Sequence, residues 1–246
     1  MQLENKIALI TGGATGIGGA TARLFGERGA TVLIVDYNKE EGQAVAAAIQ
    51  EAGGQASFFG TDVRSEESVA ATFTQINAAH QRLDTLICSA GVLRGAHKGT
   101  VGLSEEDWDD TIDTNIKGTF LTAKYAAPLL QRAGQSVVLL ISSGAGVHGG
   151  SSSLAYAASK AGMHGMQYNL ERDISGARLH VICPGGIATP LKLENIADGA
   201  RIAGEDPEEA VAKARLTLGD PMGIARVLAF LASAEGDYLR GTVFTR

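Results

Sequence analysis

The sequence predicts a single α/β domain: a doubly wound parallel sheet of about seven strands with helices on both faces. Short β-branched and apolar runs alternate with amphipathic helical patterns along the whole chain, as they do in βαβ units. Runs such as Ser136–Ile141 are apolar on both faces, which indicates a strand buried inside a parallel sheet. Crossovers between parallel strands are right-handed by strong preference, which gives the doubly wound arrangement. We expect residues 1–246 to form one domain, for which the length suffices.

The elements follow from this alternation, taken in chain order. Runs of β-branched and apolar residues predict strands at Lys6–Thr11, Thr31–Val35, Ala56–Gly60, Leu83–Cys88, Ser136–Ile141, Leu179–Cys183 and Gly241–Phe244. Patterns near 3.6 residues predict helices at Gly18–Arg28, Asn38–Ala52, Glu66–Gln81, Glu105–Gln131, Ala155–Asp173 and Pro221–Ala232. We expect Asn38 to cap its helix with Glu41 as reciprocal partner. Residues 190–216 mix charges with glycine and proline, which fits a lid over the site or a solvated pair of amphipathic helices.

Composition and charge exclude several classes of protein. The net charge of −6 argues against binding to nucleic acid or to an anionic membrane. The only cysteines, Cys88 and Cys183, lie in apolar runs, so we expect buried thiols and a cytoplasmic protein. The N-terminal residues are not the basic start of a signal peptide, and no stretch approaches a membrane span. The histidines lack metal-ligand spacing, so no metal site is expected.

A glycine-rich turn joins the first predicted strand to the first helix. It reads Thr11-Gly12-Gly13-Ala14-Thr15-Gly16-Ile17-Gly18. Glycines permit a tight turn and close approach of the backbone to a ligand, and the helix N-terminus then favours a pyrophosphate. Gly19 and Ala20 follow Gly18, where a triphosphate loop needs Lys and Ser or Thr. The alternative is a glycine-rich turn that binds no ligand.

Asp36 ends the second strand, where dinucleotide folds place an acid against the adenosine ribose. The alternative role is a helix cap, for which Asn38 is better placed. A carboxylate repels the 2′-phosphate of NADP, and Thr15 and Tyr37 are uncharged, although Lys39 is close. The sequence therefore favours NAD over NADP.

Later strand ends carry residues suited to proton transfer. Ser142 and Ser143 follow the fifth strand, and Tyr156 precedes Lys160 by one helical turn. A nearby ammonium group is expected to lower the pKa of the Tyr156 phenol, which makes it a usable general acid and base. Ser143 can hydrogen-bond a substrate oxygen as charge develops there. Taken alone, a Tyr and a Lys four residues apart are common on surface helices.

Together these residues resemble the short-chain dehydrogenase/reductase family, in its compact single-domain form with a Rossmann-type sheet. The resemblance covers nearly the whole chain. It implies catalytic roles for Asn115, Ser143, Tyr156 and Lys160. It implies that the cofactor contacts Gly12, Thr15, Gly16, Ile17, Gly18, Asp36, Tyr37, Asp62, Val63, Ser89, Ala90, Gly91, Tyr156, Lys160, Pro184, Gly185, Ile187 and Thr189.

The resemblance also implies a mechanism and an assembly. Tyr156 would transfer the hydroxyl proton while hydride passes between substrate and nicotinamide. Lys160 would also hold the nicotinamide ribose, and Asn115, through its backbone or a water, would link Lys160 to solvent. Cys88 and Ser89 stand where the family has two asparagines, which puts local rigidity in doubt. The resemblance implies a homo-oligomer, either a tetramer or a dimer. Relatives often continue beyond the position of Arg246, and in the family that tail contributes to subunit contacts.

Three functions remain open, each with a small-molecule partner or ligand. The first is an NAD(H)-dependent oxidoreductase that interconverts a secondary alcohol and a ketone. The second is a 3-oxoacyl thioester (acyl-carrier-protein) reductase using NADPH, which a basic patch for the carrier would favour. The third is a non-catalytic cofactor-sensing protein. In the expected pocket, Arg94 is a candidate for a substrate anion or a solvated side chain, and His148 is a candidate lining or loop residue.

Overall fold

The computed structural model describes residues 2–245 of the chain. Seven parallel strands form one sheet in the order β3-β2-β1-β4-β5-β6-β7. The strands are β1 Ile7–Thr11, β2 Thr31–Asp36, β3 Gln55–Gly60, β4 Thr85–Cys88, β5 Ser136–Ile141, β6 Ala177–Cys183 and β7 Gly241–Phe244. The predicted single-domain, doubly wound parallel sheet is confirmed.

Helices cover both faces of this sheet. The longer ones are α1 Gly16–Glu27, α2 Lys39–Glu51, α3 Glu66–Ala79, α5 Glu105–Ile112, α6 Gly118–Arg132, α8 Leu154–Asp173, α9 Pro190–Ala203, α10 Pro207–Arg215 and α11 Pro221–Ala232. Two single turns, α4 Gly99–Gly102 and α7 Ala145–His148, and a 3₁₀ turn at Ala234–Gly236 complete the set. Residues 190–216 contain the two helices α9 and α10. Among residues 2–245, no helix is both long and apolar enough to cross a membrane.

The helix predicted over Glu105–Gln131 is interrupted. A π-helical turn at Asp113–Lys117 separates α5 from α6. The side chain of Asn115 in this turn is fully buried and bonds the backbone of Val92, outside the helix. Thr119 Oγ1 donates to the Asn115 carbonyl at 2.7 Å. A local π turn is frequent where a helix serves a functional site.

Two hydrophobic layers sandwich the sheet, because alternate residues of each strand point to opposite faces. Ile10 and Ile34 belong to the layer that packs against α1, α2 and α11. Leu9 and Leu33 belong to the layer that packs against α3, α6 and α8. The central strands are buried on both faces, as their continuous apolar runs predict.

Most of the helices near the sheet's carboxyl edge begin with a side-chain cap. Asn38 accepts from the backbone N–H of Glu41, so the predicted cap of α2 is confirmed. Its predicted reciprocal partner is wrong: the N–H of Asn38 donates to Asp36 Oδ1 at 3.0 Å. Asp36 is already adjacent and buried, so it satisfies this donor more directly than a side chain one turn along.

The strand order changes direction between β1 and β4, which pair directly. Ligands of open α/β sheets bind at such a switch point, beyond the carboxyl ends of the strands. The glycine turn after β1 and the segments after β4, β5 and β6 all begin at this edge. The fold therefore collects most of the predicted site residues in one crevice.

Candidate active site

The glycine turn has the backbone that its glycines permit. Gly12 and Gly16 have φ of +66° and +54°, the left-handed region that favours glycine. A Cβ on Gly12 would lie 2.6 Å from the Ala90 nitrogen, and one on Gly18 would lie 2.1 Å from the Gly12 oxygen. The glycines are therefore required both for the turn and for its close packing on the segment after β4.

Asp36 ties the end of β2 to this turn. Its Oδ2 accepts from the Ala14 N–H at 3.0 Å, while Oδ1 accepts from Asn38. The residue is buried, whereas the neighbouring Tyr37 is 78% exposed. Each carboxylate oxygen has a further acceptor position. Asp36 therefore has a structural role at the predicted adenosine end and keeps acceptor capacity for a ligand.

The segment after β3 lies beside Asp36, because the Thr61 N–H donates to the Asp36 carbonyl at 2.9 Å. Asp62 follows, and Arg64 grips its carboxylate with hydrogen bonds of 2.9–3.2 Å. This hydrogen-bonded guanidinium lowers the pKa of Asp62. Val63 is buried against Gly118, where a Cβ would lie 2.7 Å from Val63 Cγ2. The Asp62 backbone is also engaged, because its N–H donates to Ser68 Oγ at 3.1 Å and its carbonyl accepts from the Ser65 N–H at 3.1 Å.

Thr11 fastens the segment after β4. Its hydroxyl accepts from the N–H groups of Ser89 and Ala90 at 3.2 and 3.3 Å. These two bonds hold the backbone at Ser89 and Ala90 against the end of β1. Cys88 itself is buried, and burial raises the pKa of its thiol to about 12, so it is inert packing.

Asn115 clamps the next residues of this segment. Its amide donates to the Val92 carbonyl at 3.0 Å and to Ser159 Oγ at 2.9 Å, and its Oδ1 accepts from the Val92 N–H at 2.8 Å. A Cβ on Gly91 would lie 3.3 Å from Asn115 Oδ1 and 3.4 Å from Lys160 Nζ. The missing side chain of Gly91 thus leaves room beside the Lys160 ammonium.

Tyr156 and Lys160 share one face of α8, as their spacing predicts. Lys160 Nζ lies 5.5 Å from the centroid of the Tyr156 ring and donates to the Ile141 carbonyl at 2.8 Å. Ser142 Oγ donates to the Lys160 carbonyl at 2.8 Å, which holds α8 against the end of β5. Ser143 Oγ accepts from the Ala145 N–H at 3.2 Å and lies beside the Tyr156 hydroxyl, near enough to favour a lower pKa of the phenol. The structure therefore brings Ser143, Tyr156 and Lys160 together.

The charge state of this trio differs from the expectation. Burial raises the pKa of Tyr156, and the nearby Ser143 hydroxyl only partly opposes this rise. Burial lowers the pKa of Lys160 to about 8. The expected lowering of the Tyr156 pKa by Lys160 is therefore wrong for the protein alone. The physical reason is that the ammonium points at the Ile141 carbonyl and both groups are desolvated.

The segment after β6 closes the opposite wall of the crevice. The Pro184 carbonyl accepts from Gly144 at 3.1 Å, and Ile187 bridges to Gly219. Gly185 lies exposed between them. Thr189 caps α9, and its Cγ2 would lie 3.4 Å from a Cβ on Gly16. The glycine turn and the Pro184–Thr189 segment therefore face each other directly.

Sequence reasoning missed two serines of this site. Ser153 Oγ caps α8 at the Tyr156 N–H and also donates to the Arg94 carbonyl at 2.6 Å. Ser159 Oγ donates to the Tyr156 carbonyl at 2.8 Å and accepts from Asn115. A serine three residues before Tyr156 is a recognisable N-cap signal, whereas Ser159 has no sequence signal.

These residues fit a dinucleotide cofactor. The glycines leave a cradle that side chains would fill, and an oriented helix N-terminus follows it. Such a cofactor, when bound, supplies or accepts a hydride. Gly12, Gly16, Ile17 and Gly18 would hold its pyrophosphate, and Asp36 its adenosine ribose. Among the residues described, no group of three or more His, Cys, Asp or Glu side chains has the arrangement of a metal site.

Comparison with known proteins agrees with this geometry. The family described as short chain dehydrogenase matches residues 6–199. A 3beta-hydroxysteroid dehydrogenase of Mediterraneibacter gnavus is 35% identical, over 98% of this chain and 93% of its own length. A 3-oxoacyl-(acyl-carrier-protein) reductase of Thermotoga maritima is 33% identical, over 99% and 96%. The crystal structure of levodione reductase is similar with a TM-score of 0.89 and 27% identity, over 98% and 96%.

The names of these relatives differ in substrate, so they support a reaction type rather than one substrate. The family match spans most of the chain, and both relatives cover nearly all of it. The chain therefore belongs to the short chain dehydrogenase family and is an NAD(P)-dependent oxidoreductase acting on CH–OH groups.

Proposed function

We propose that the protein is an NAD(H)-dependent oxidoreductase that interconverts a secondary alcohol and a ketone. The observation that carries the choice of cofactor is the position of Asp36, buried at the end of β2 with Oδ2 bonded to the Ala14 N–H of the glycine turn. The remaining acceptor positions of this carboxylate suit the two hydroxyls of an adenosine ribose. A 2′-phosphate there would place like charges together in a partly dry site.

We propose catalytic roles for four residues of this chain. Tyr156 holds the transferred proton on its hydroxyl and gives it to, or takes it from, the substrate oxygen. Ser143 hydrogen-bonds the same oxygen as charge develops there. Lys160 supplies positive charge behind Tyr156 and holds the nicotinamide ribose. Asn115 positions the segment around Val92 and offers its backbone to the proton path.

The protonation state of Tyr156 determines how the rate of each direction of the reaction depends on pH. Because burial raises its pKa, Tyr156 is a phenol at neutral pH and is ready to donate a proton to a carbonyl. Alcohol oxidation needs the phenolate, so its rate is expected to rise as the pH increases. Ketone reduction is expected to be favoured at neutral pH.

A second candidate is the 3-oxoacyl thioester reductase with NADPH. The Thermotoga maritima relative favours it, and Lys39 is exposed near Asp36. The basic residues of the pocket rim argue against a free carrier-docking patch. Arg94 donates to Asp110 at 2.8 Å and Lys98 to Asp107 at 2.5 Å, so both are already paired. We retain the alcohol dehydrogenase as the proposal and the thioester reductase as its alternative.

The cofactor proposal is tested by titrating the protein with NADH and NADPH and following nicotinamide fluorescence. We expect NADH to bind at least tenfold more tightly, a difference of about 1.4 kcal/mol. Asp36→Asn keeps the side-chain shape and one acceptor for Ala14 but removes the charge, so this variant should reduce the difference in affinity between NADH and NADPH. Glu40→Gln removes an exposed charge nearby and should leave this difference in affinity unchanged. Tighter NADPH binding by the unmodified protein would favour the thioester reductase.

Three further assignments belong to the same proposal. We propose a cytoplasmic location, which the two buried free thiols support. We propose a homo-oligomer, either tetramer or dimer, on the family resemblance. We also propose that α9 and α10 form a lid beside the substrate, because they follow directly from the Pro184–Thr189 wall.

A further inference from the structure

Three separate segments meet at His97, on the substrate side of the crevice. The segment from Arg94 to Lys98 leaves β4, the segment from Gly149 to Ser153 leads into α8, and α9 begins the proposed lid. His97 has a φ of +62°, the left-handed region that only small or special residues adopt without cost. A strained backbone at a junction of this kind persists only where surrounding contacts hold it.

The contacts that hold His97 are hydrogen bonds to both neighbouring segments. Its N–H donates to the Ser152 carbonyl at 2.7 Å. Its ring Nε2 lies 3.3 Å from the Asn195 carbonyl of α9. Asn195 also bonds Ser152 directly, because its Nδ2 donates to Ser152 Oγ at 2.9 Å. The three residues thus join the lid helix to both loops of the pocket.

A glycine on α9 makes room for this contact. A Cβ on Gly199 would lie 3.2 Å from His97 Cε1 and 3.3 Å from Nε2, tighter than ordinary packing. The ring therefore lies directly on the helix surface. Only Leu193, Ala197 and Ala200 of α9 are buried, so few apolar contacts keep the helix in place. The hydrogen bonds of His97 and Asn195 add polar contacts to these buried residues.

The residue after Ser152 connects this junction to Tyr156. Ser153 follows Ser152, caps α8 at the Tyr156 N–H and bonds the Arg94 carbonyl. The loops that meet the lid are therefore the same loops that fix the start of the helix bearing Tyr156.

We propose that His97, Ser152 and Asn195 form a latch that holds α9 closed over the substrate side of Tyr156. The latch is a positioning device and touches neither the proton nor the hydride. It keeps the closed arrangement populated, and its release admits substrate and frees product. This inference rests on the proposed function of Tyr156 and deepens it by naming what controls access to that site.

The latch is tested first without turnover, by hydrogen–deuterium exchange of α9 in the NADH-bound protein. Asn195→Ala removes the bond to Ser152 Oγ. His97→Asn removes the ring but keeps a residue that tolerates positive φ. We expect exchange across Pro190–Ala203 to quicken about fivefold or more in each variant, with little change in the sheet. Glu194→Ala changes an exposed neighbour on the same helix and should leave exchange as it is.

Two more variants separate the latch from a general loosening of the helix. Ser152→Ala should quicken exchange as Asn195→Ala does, and Ser152→Thr should restore protection because it keeps the hydroxyl acceptor. The double variant Ser152→Ala/Asn195→Ala should exchange no faster than Asn195→Ala alone, since Asn195→Ala already removes the bond to Ser152 Oγ as well as the 3.5 Å contact of Asn195 Nδ2 with His97 Nε2. Unchanged exchange in the single variants, or fully additive effects in the double, would overturn the latch.

Steady-state kinetics then test its role in catalysis. The substrate is a secondary alcohol or ketone that the unmodified protein converts. The latch variants should have a severalfold higher KM for it without a lower kcat, because Ser143, Tyr156 and Lys160 are untouched. A fall in kcat with unchanged KM would instead assign these residues to the support of Tyr156. Failure of the proposed function would appear as absent turnover in the unmodified protein, with the exchange result unaffected.

Discussion

The Ser153 hydroxyl accepts a hydrogen bond from the backbone N–H of Tyr156 at 3.3 Å, so the residue that caps α8 also fixes the position of the tyrosine. The same hydroxyl donates to the Arg94 carbonyl at 2.6 Å. One buried side chain thereby links the start of the helix to the loop after β4. Loss of the two hydrogen bonds of Ser153 is therefore expected to affect both the stability of α8 and the position of Tyr156.

Ser153→Ala is expected to lower the free energy of unfolding by about 1 kcal/mol, the usual loss for a helix cap. It should also lower kcat by about tenfold, because small displacements of a reacting group are costly. Denaturant titration and steady-state kinetics measure the two effects. Ser104→Ala removes the cap of α5 at Asp107 and should cost similar stability without the loss of kcat. Equal kinetic losses in both variants would contradict a special role for Ser153.

Tyr156→Phe removes the proposed proton-transfer group and keeps the ring. Turnover should fall by a factor of about 10²–10⁴, the usual contribution of a positioned acid or base. NADH should still bind, as measured by nicotinamide fluorescence, because the proposed contacts of the glycine turn and Asp36 with the cofactor are untouched. Retained turnover would rule out the proposed mechanism. It would not affect the family assignment.

Asn115→Ala should destabilise the protein strongly. The variant leaves the Val92 N–H, the Val92 carbonyl and Ser159 Oγ without their buried partner, which costs about 2–4 kcal/mol. Thermal unfolding measures the loss. Asn77→Ala removes an exposed amide that binds Arg132 and should cost less than about 0.5 kcal/mol. Normal stability of Asn115→Ala would contradict the supporting role of its side chain.

The parts of the molecule that follow local rules were predictable from the sequence. The β-branched runs and the i, i+4 spacing of Tyr156 and Lys160 depend on periodicity alone, and both appear as expected. The π turn around Asn115 depends on a bond to Val92, more than twenty residues away, and no local pattern records it. Single turns such as Ala145–His148 are too short for a helical period to appear.

The charge state of Tyr156 was unpredictable for a different reason. Spacing places Lys160 on the same helix face, but it does not say where the flexible ammonium points. Lys160 Nζ donates to the Ile141 carbonyl, and burial then decides the pKa of both groups. Tertiary desolvation of this kind depends on every element packed around the pair, which no single-sequence pattern contains.

Because His180 is buried, we expect the free energy of unfolding of the protein to decrease in mild acid. The residue is fully buried on β6, and within residues 2–245 neither ring nitrogen makes a well-formed hydrogen bond. Burial lowers its pKa below the usual 6.5. Arg178 and Arg240 lower it further, the Gly241 backbone opposes the shift, and Asp237 pairs with Arg178 at 2.9 Å.

The sign follows from proton uptake. Below pH about 6.5 the unfolded chain protonates this histidine while the folded chain does not, so the free energy of unfolding decreases as the pH falls. Denaturant titrations between pH 7.5 and about 5 should show this decrease, before the carboxylates protonate. His180→Leu should flatten the pH dependence, with the remainder from His164, whose pKa burial also lowers. His148→Leu changes an exposed imidazole and should leave the slope intact; an equal flattening there would assign the effect to surface charge.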